Sequence, residues 1–474
     1  MNTQEFYING QWVAPNSAAT MDVINPSTEE VCATIAIGDQ ADTDAAVAAA
    51  KAAFPGWSQT DKADRVALLQ KFRDIYVSRA EDMAQAISTE MGAPQQLARV
   101  QQIGAGTWHI DGFLKAFDGF EFEKMHTPTE ATLLEPIGVC ALITPWNWPM
   151  NQIILKVIPA IATGCTVVLK PSEVSPLSGI LFAEFMHEAG FPAGVFNLVN
   201  GDGPGVGSQL SCHPDVDMVS FTGSSRAGIA ISKAAADTLK RVSLELGGKG
   251  ANIIFADADE DAVNRGAARC FRNSGQSCNA PTRMLVERSR YDEAVIQAAA
   301  TAEATRVGPA SEEGEHIGPV VSEAQFTKIQ DLIEIGKKEA RLVAGGTGRP
   351  DGLNRGYFVR PTVFADVNND MEIARTEIFG PVLSIIPFDT EEEAVALAND
   401  TVYGLTNYVQ SSDDAKRMRV GRQLRSGMVE TNGKGFAQGS PFGGYKQSGN
   451  GREGGAFGLH EFLEVKALSG FVAE

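Results

Sequence analysis

The sequence predicts an α/β fold with two doubly wound domains, and two observations support this prediction. First, short uninterrupted apolar segments alternate with helical patterns from residue 137 to residue 240, and a second alternating series starts at residue 251. Uninterrupted apolar strands are typical of parallel sheets with helices on both faces. Second, 474 residues exceed one ordinary hydrophobic core, so at least two domains are expected.

The residues before the first alternating series have a mixed character. Residues 6–13 read FYINGQWV, in which an Asn-Gly turn between two β-prone runs predicts a hairpin. Residues 39–54 predict an alanine-rich helix, and residues 61–91 predict one long amphipathic helix. Residues 120–136 alternate as a strand does and carry charge, which suits an exposed ribbon or a sheet edge.

The first alternating series has four buried strands, each followed by a helical pattern. The strands are GVCALITPW, CTVVLKPSE, VFNLVNG and MVSFTGS, and the helical patterns cover residues 152–162, 178–189, 204–210 and 226–240. In an open parallel sheet, ligands bind beyond the carboxyl ends of the strands. The polar segments PWN, KPSE, NGDGPG and TGSS lie at those ends, so we expect a ligand site there.

The second series forms another α/β unit, which we expect to begin near residue 248. The strands ANIIFADA, RMLVERS, FVRPTVFADV and VLSIIPFD accompany helical patterns that include residues 291–306 and 325–340. A glycine-dense loop covers residues 435–455, and the β-like run EFLEVKALSGFV follows it near the end of the sequence.

The composition limits the partners and the compartment of the protein. A formal net charge of −19 argues against nucleic acid or an anionic membrane as a partner. The six cysteines are scattered, with no CxxC pair and no zinc-ligand spacing, which predicts no metal, no disulfide and a reducing compartment. No signal peptide and no apolar run near the roughly 20 residues of a membrane span are visible, so we expect the cytoplasm.

Cys278 lies in FRNSGQSCNAPTR, between a glycine turn and a proline and among small or polar residues. Such a setting predicts a thiol near solvent with a lowered pKa, which is the property of a nucleophile. The alternative is a cysteine that serves as a small hydrophobic residue.

Two further motifs carry polar groups suited to acyl chemistry. Glu245 in LELGGKG ends an apolar strand, where desolvation raises the pKa of a carboxyl group towards the range of a general base. An ion pair between Glu245 and Arg241 is an equally weighted alternative role for this carboxylate. Asn147 in TPWNWP is a rigid amide that can donate to an oxyanion, or a turn residue packed by aromatic rings.

Other motifs suit a dinucleotide. Lys170 and Glu173 in VVLKPSE can hold the hydroxyls of a ribose. The carboxylate of Glu173 would repel a 2′-phosphate, so NAD is favoured over NADP. The alternative is that the two residues only form a salt bridge at the end of the strand. The segment FTGSSRAG, which contains Gly223, predicts a strand, a turn and a helix, and the free N–H groups at the start of that helix suit a pyrophosphate. The segment lacks the GxGxxG fingerprint, and a tight turn between strand and helix also explains its glycines. In TEIFGP, Glu377 precedes an aromatic residue and a Gly-Pro turn.

The order of these motifs closely resembles the aldehyde dehydrogenase superfamily, from YINGQWV at the start to EVK near the end. The resemblance also includes ProPheGlyGlyTyrLys late in the chain. It implies that Cys278 attacks the aldehyde and that Asn147 and the Cys278 N–H hold the oxyanion. It further implies that Glu245 activates the water that hydrolyses the thioester, and that Glu453 helps to relay protons. A CoA-acylating enzyme on the same fold is the alternative, and Glu245 speaks against it because a hydrolytic base would destroy the thioester.

The resemblance also implies how NAD is bound. It matches Lys170 and Glu173 to the adenosine ribose, Ser224 and Trp146 to the pyrophosphate, and Glu377 with Phe379 to the nicotinamide ribose. Further cofactor contacts are expected from Thr144, Ser172, Gly223 and Gly247.

The implied fold has three parts. An NAD-binding domain covers residues 1–117 and 137–247, a catalytic domain covers 248–447, and an oligomerisation ribbon covers 118–136 and 457–474. A homodimer or a dimer of dimers is therefore expected, with Glu464 at an interface and Arg241 and Arg452 as its partners.

The aldehyde itself is the least determined part of the prediction. The entry tunnel is expected to be lined by Trp148, Leu155, Phe436 and Phe442, which favours an apolar or aromatic aldehyde. No cation is evident at these positions to bind a second carboxylate, and the aromatic residues leave betaine aldehyde open.

Overall fold

The structure, a computed structural model, describes residues 1–471. Its strands are, in chain order, β1 (Phe6–Ile8), β2 (Gln11–Val13), β3 (Thr20–Asn25), β4 (Glu30–Ala36), β5 (Glu123–Thr127), β6 (Glu130–Pro136), β7 (Val139–Ile143), β8 (Thr166–Lys170), β9 (Phe196–Leu198), β10 (Met218–Thr222), β11 (Arg241–Glu245), β12 (Ala251–Ile254), β13 (Arg283–Glu287), β14 (Arg341–Ala344), β15 (Thr362–Ala365), β16 (Val382–Phe388), β17 (Thr406–Gln410), β18 (Met428–Thr431) and β19 (Leu463–Ser469).

Five of the α-helices follow one another between β4 and β5, and the others lie among the later strands. The α-helices are α1 (Gln40–Trp57), α2 (Lys62–Ser78), α3 (Ala80–Met91), α4 (Gln95–Leu97), α5 (Ile103–Asp118), α6 (Pro149–Thr163), α7 (Leu177–Ala189), α8 (Ser208–Cys212), α9 (Ser225–Ala235), α10 (Ala262–Phe271), α11 (Tyr291–Ala304), α12 (Glu323–Glu339), α13 (Glu372–Arg375), α14 (Glu391–Asn399), α15 (Asp414–Gln423) and α16 (Gly455–Glu461). The predicted α/β class is confirmed. In residues 1–471, no helix is both long and apolar enough to cross a membrane.

The first sheet has seven strands in the order β11-β10-β7-β8-β9-β1-β2. Strands β7 to β11 run parallel, and the predicted hairpin of β1 and β2 adds two antiparallel strands at one edge. Cys140 and Leu142 of β7 belong to one apolar core, whereas Val139, Ala141 and Ile143 belong to another. The strand therefore buries both of its faces, as a doubly wound sheet requires.

The second sheet repeats this plan in the order β14-β15-β16-β13-β12-β17-β18. Only β14 pairs antiparallel within it. Leu285 of β13 packs in one core, and its neighbours Met284 and Val286 pack in another. The predicted change of domain at residue 247 falls between β11 of the first sheet and β12 of the second.

A third sheet is formed by β19, β6 and β5, all antiparallel. These strands lie within the ranges predicted for the ribbon, 118–136 and 457–474. Residues 457–461 instead belong to α16, where Gly458 lies against the ring of Phe113 in α5. Residues 472–474 lie outside the described residues, and the division into three domains stays a prediction.

The single long helix predicted over residues 61–91 is wrong. The chain forms α2 and α3, separated at Arg79, whose φ of −108° and ψ of 24° are not helical. The guanidinium of Arg79 lies 4.7 Å from the ring centre of Phe185 and forms an ion pair with Asp82. No glycine or proline marks this break, so the helical pattern continued through it in the sequence.

Candidate active site

The site lies where the carboxyl ends of the first sheet meet the amino ends of the second. A cleft of about 190 Å³ at this junction is lined by residues from both sides. The predicted site residues that line it are Trp146, Asn147, Gly223, Ser224, Gly247, Cys278, Glu377 and Phe379. The structure therefore brings together groups separated by more than 230 residues of sequence.

The loop that carries Cys278 is held against Asn147. Asn147 Nδ2 donates to the carbonyl oxygen of Gln276 at 3.0 Å, two residues before the cysteine. The backbone oxygen of Asn147 accepts from the side chains of Asn273 at 3.0 Å and Gln102 at 3.1 Å. An amide nitrogen carries two hydrogens, so one recorded bond leaves a second donor for a ligand in the cleft.

The Cys278 thiol is only partly exposed. Burial raises its pKa, and the nearby carboxyl groups of Glu377 and Glu245 raise it further. The expectation of a lowered thiol pKa is therefore wrong, because the thiol is buried and the charges of Glu377 and Glu245 that act on it are carboxylates rather than cations. A thiol with a raised pKa needs a base to take its proton before it can act as a nucleophile.

Glu245 ends β11 with its carboxyl group buried, and its residue exposure is 2%. Within the described chain, neither carboxyl oxygen has a hydrogen-bond donor. Burial, followed by the charge of Glu453, raises the pKa of Glu245 well above its ordinary value. Arg241 pairs instead with Glu464 at 2.8 Å, so the alternative in which Arg241 neutralises Glu245 is wrong.

The carboxyl of Glu245 occupies space that a glycine leaves open. A Cβ at residue 443 would stand 2.7 Å from Glu245 Oε1, and Gly443 has a φ of +153°. This close approach explains a glycine in the late PFGGYK motif. The carboxyl is thus positioned by backbone rather than by a counter-ion.

Glu453 forms a buried ion pair that the sequence did not reveal. Glu453 Oε1 lies 2.5 Å from Lys156 Nζ, which also contacts Ser220 Oγ at 3.2 Å. Lys156 belongs to the buried helix α6 and has no motif around it. The available signal for this residue was that it is the one charged side chain of a mostly apolar helix.

Lys170 and Glu173 lie next to each other at the end of β8. Lys170 Nζ donates to the carbonyl oxygens of Gly201 at 2.6 Å and Pro171 at 2.8 Å, and to Glu173 Oε2 at 3.3 Å. Burial lowers the pKa of Lys170. The salt-bridged strand end therefore exists, and it does not exclude a role in ribose binding because Glu173 remains partly exposed.

The helix α9 begins at the cleft. Ser224 caps it by accepting a hydrogen bond from the Ala227 N–H at 3.3 Å, which leaves other N–H groups of the first turn free for an anion. Thr144 and Ser172 are buried at the ends of neighbouring strands. In the described chain, the Thr144 hydroxyl has no partner.

Glu377 and Phe379 close the other side of the cleft. Glu377 Oε1 accepts from the Gly248 N–H at 2.8 Å, and burial raises its pKa. Phe379 has a φ of +59°, and its ring meets that of Trp146 edge to face at 5.4 Å. The two sheets are therefore joined across the cleft by aromatic and hydrogen-bond contacts.

The four residues predicted to line the entry tunnel lie in different environments in the structure. Trp148 Nε1 donates to Ser277 Oγ at 2.8 Å, which places the indole beside Cys278. Phe442 pairs with Glu453 through two backbone hydrogen bonds, and Phe436 is exposed in the glycine-rich loop. Leu155 is buried in the core of the first sheet. The tunnel as a whole stays a prediction.

Of the two arginines expected as partners of Glu464, one contacts it within the chain and the other does not. Arg241 contacts it within the chain, whereas Arg452 donates to the backbone oxygens of Gly444 and Gly451 at 2.9 and 2.6 Å.

A thiol and an amide donor line this cleft, and the buried carboxyl of Glu245 ends the strand beside it, an arrangement suited to an enzyme that acts on a carbonyl group. Residues 12–468 match the sequence profile of the aldehyde dehydrogenase family. The chain belongs to that family, whose general reaction is the oxidation of an aldehyde to the carboxylic acid. The predictions of family, enzyme and reaction class are confirmed.

Close relatives cover nearly the whole chain. The 3-succinoylsemialdehyde-pyridine dehydrogenase of a Pseudomonas species is 52% identical over 471 residues, which cover 99% of this chain and 98% of the relative. The crystal structure of an aldehyde dehydrogenase from Bartonella henselae is 58% identical, with a TM-score of 0.98 and 99% of each chain covered.

A second crystal structure shows a family member with ligands. Aldehyde dehydrogenase C of Pseudomonas syringae, as a cysteine-to-alanine variant in complex with NAD+ and octanal, is 51% identical. Its TM-score is 0.98, with 99% of this chain and 97% of that chain covered. The aldehyde dehydrogenase-like fold predicted for this sequence is therefore confirmed.

Proposed function

We propose that the protein oxidises an aldehyde to its carboxylic acid with NAD, through a covalent adduct on Cys278. The observation that carries the proposal is the convergence of Cys278 and Asn147 on one cleft, with Glu245 close enough to raise the pKa of the thiol. The structure of the Pseudomonas syringae relative with NAD+ supports the choice of cofactor.

The residues of the cleft, together with the nearby ends of β7 and β8, fit a dinucleotide. Lys170 and Glu173 would hold the adenosine ribose, the free N–H groups beside Ser224 would receive the pyrophosphate, and Glu377 with Phe379 would hold the nicotinamide ribose. The partnerless Thr144 hydroxyl is a further polar group available to this ligand. When bound, NAD accepts a hydride from the reacting carbon.

The residues of this chain then act in sequence. The Cys278 thiol gives its proton to solvent water, and its sulfur bonds to the aldehyde carbon, whose oxygen becomes an oxyanion. The second N–H of the Asn147 amide and the Cys278 backbone N–H stabilise that charge. Loss of the hydride leaves a thioester on Cys278.

Hydrolysis completes the reaction. Glu245 takes a proton from water, the oxygen attacks the thioester carbon, and the C–S bond breaks to release the acid. Its raised pKa makes this carboxylate a stronger base towards water than an exposed glutamate is. Glu453, paired with Lys156, is the neighbouring carboxyl through which this proton can leave.

The test of this mechanism separates it from CoA acylation. NADH formation is measured with a panel of aldehydes, with and without CoA, and we expect oxidation without CoA. Strict dependence on CoA would contradict the proposal. The same panel with NADP in place of NAD tests the cofactor preference.

The substrate is proposed to be an apolar or aromatic aldehyde. The relatives named for a pyridine semialdehyde and crystallised with octanal support this class. The position of Trp148 beside Cys278 supports an apolar entry. The panel should therefore rank alkyl and aryl aldehydes above short dicarboxylic semialdehydes in kcat/KM.

We also propose a homo-oligomer in the cytoplasm. The ribbon formed by β5, β6 and β19 exposes Val465, Leu468 and Met125, with Val465 71% exposed, and such a surface suits burial against another copy. Six unpaired thiols are consistent with a reducing compartment. Light scattering of the wild type and of Val465→Asp tests the first point, since the variant should dissociate into smaller species.

A further inference from the structure

One polar pair near Cys278 has no part in the proposed mechanism. His109 of α5 and Asn151 of α6 are joined by a hydrogen bond of 2.8 Å between His109 Nε2 and Asn151 Oδ1. We propose that this pair determines specificity by binding an oxo group in the distal part of the aldehyde. The inference rests on the proposed function and deepens it, because it concerns the substrate class of the same site.

The position of Asn151 follows from helix geometry. Trp148 directly precedes α6, and Asn151 is the third residue of the helix, so the two side chains start from the same side of its first turn. Trp148 contacts Ser277, the neighbour of Cys278. Every other residue of α6 is buried, whereas Asn151 keeps partial exposure. The partly exposed Asn151 is therefore a near neighbour of Trp148, the residue that contacts the cysteine loop.

His109 approaches the same space from α5. Its ring meets that of Trp108 at 4.8 Å, and the backbone oxygen of Trp108 accepts a hydrogen bond of 2.8 Å from Gln438. Gln438 belongs to the exposed glycine-rich loop that also holds Phe436. The pair thus lies between the cysteine loop and the surface loop, along the proposed path of the aldehyde.

The hydrogen bond assigns a role to each group. Burial lowers the pKa of His109 to about 4, so its imidazole is neutral at pH 7 and carries one N–H. Since Asn151 Oδ1 accepts that hydrogen, the Asn151 amide nitrogen keeps its donors. In residues 1–471, no hydrogen bond from Asn151 Nδ2 competes with a ligand. An oxo group on the substrate accepts from this donor, whereas a plain alkyl chain leaves it unpaired.

The experiment compares two aldehydes of equal chain length, 4-oxopentanal and pentanal. For the wild type we expect kcat/KM to be about tenfold higher for the oxo aldehyde. Asn151→Leu should remove this preference by lowering kcat/KM for 4-oxopentanal alone, mainly through KM. His109→Leu should reduce the preference as well, because Asn151 loses the partner that orients it.

Thr107→Val is the matched control on α5, since its hydroxyl contacts only the backbone of its own helix, and it should keep the wild-type ratio. If the wild type and both pair variants oxidise the two aldehydes with the same ratio of kcat/KM values, this inference is overturned while the proposed function stands. Failure of the wild type to oxidise any aldehyde would overturn the proposed function, and this inference with it.

Discussion

The two large sheets have the same plan, yet they face the cleft with opposite ends. The first sheet contributes the carboxyl ends of its strands: Lys170 ends β8, Thr222 ends β10 and Glu245 ends β11. The second sheet contributes segments that precede its strands: Cys278 comes before β13, and Phe379 comes before β16. The general rule for parallel sheets therefore locates only half of this site.

This difference separates two tasks. The carboxyl ends of the first sheet, with the N-terminus of α9, provide fixed polar groups and a helix dipole for a charged ligand. The segments before the second sheet provide a reactive thiol and an aromatic residue with positive φ. Substitution of Cys278 on the second side should therefore remove chemistry without removing cofactor binding, and substitution of Glu173 on the first side should alter cofactor preference more than the chemistry. Glu245 is the exception on the first side, because it ends β11 and acts as the base.

The largest expected effect comes from the second side. Cys278→Ala should lower aldehyde oxidation by at least about 10³-fold, because no other group forms the covalent adduct. NAD binding, measured by calorimetry, should remain close to that of the wild type. Cys212→Ala, which removes an exposed thiol elsewhere, is the control and should retain activity. Loss of NAD binding in Cys278→Ala would show that the two tasks are not separate.

Asn147 belongs to both sides of the cleft, since it follows β7 of the first sheet and contacts the loop that carries Cys278. Its substitution is the next largest expected effect. Asn147→Ala should lower kcat by about 10²- to 10³-fold, the usual cost of removing one oxyanion donor. The KM for NAD should change little. A stopped-flow measurement of the first NADH formed should show that hydride transfer, rather than hydrolysis, has slowed; an unchanged rate would contradict the oxyanion role.

The sequence predicted the parts of the site that depend on local pattern. The strand ends at Lys170 and Glu245 follow from apolar segments and polar residues after them, and Cys278 follows from its glycine turn. The pairing of Lys156 with Glu453 joins residues 297 positions apart, so no local pattern contained it. The thiol pKa was predicted in the wrong direction for the same reason, because Glu377 and Glu245 come from distant segments.

Glu245→Gln should separate the two halves of the reaction. A first burst of NADH should survive, while steady-state turnover falls by about 10²-fold because hydrolysis loses its base. The neutral amide no longer raises the pKa of Cys278, so alkylation of the thiol by iodoacetamide should shift to lower pH. Glu464→Gln serves as the control. An unaffected steady state, or an unchanged alkylation profile, would contradict the role of Glu245.

The pH dependence of the wild type should follow from the same carboxyl. Burial and Glu453 raise the pKa of Glu245, and the base acts only when it is ionised. Turnover should therefore fall as the pH decreases through that raised pKa, at a higher pH than an exposed glutamate would give. The decrease should be absent from the residual turnover of Glu245→Gln.

The smallest expected effect lies on the first side, at Glu173. Its carboxylate stands beside Lys170 and would repel a 2′-phosphate on the adenosine ribose. Glu173→Gln removes the repulsion and leaves the cation of Lys170 available, so kcat/KM with NADP should rise by about tenfold relative to NAD. Glu188→Gln makes the same charge change on the surface of α7 and should leave the ratio unchanged. At saturating NAD the burst and the steady state should remain those of the wild type. A loss of catalytic rate in Glu173→Gln under these conditions would therefore mean that Glu173 does more than hold the cofactor.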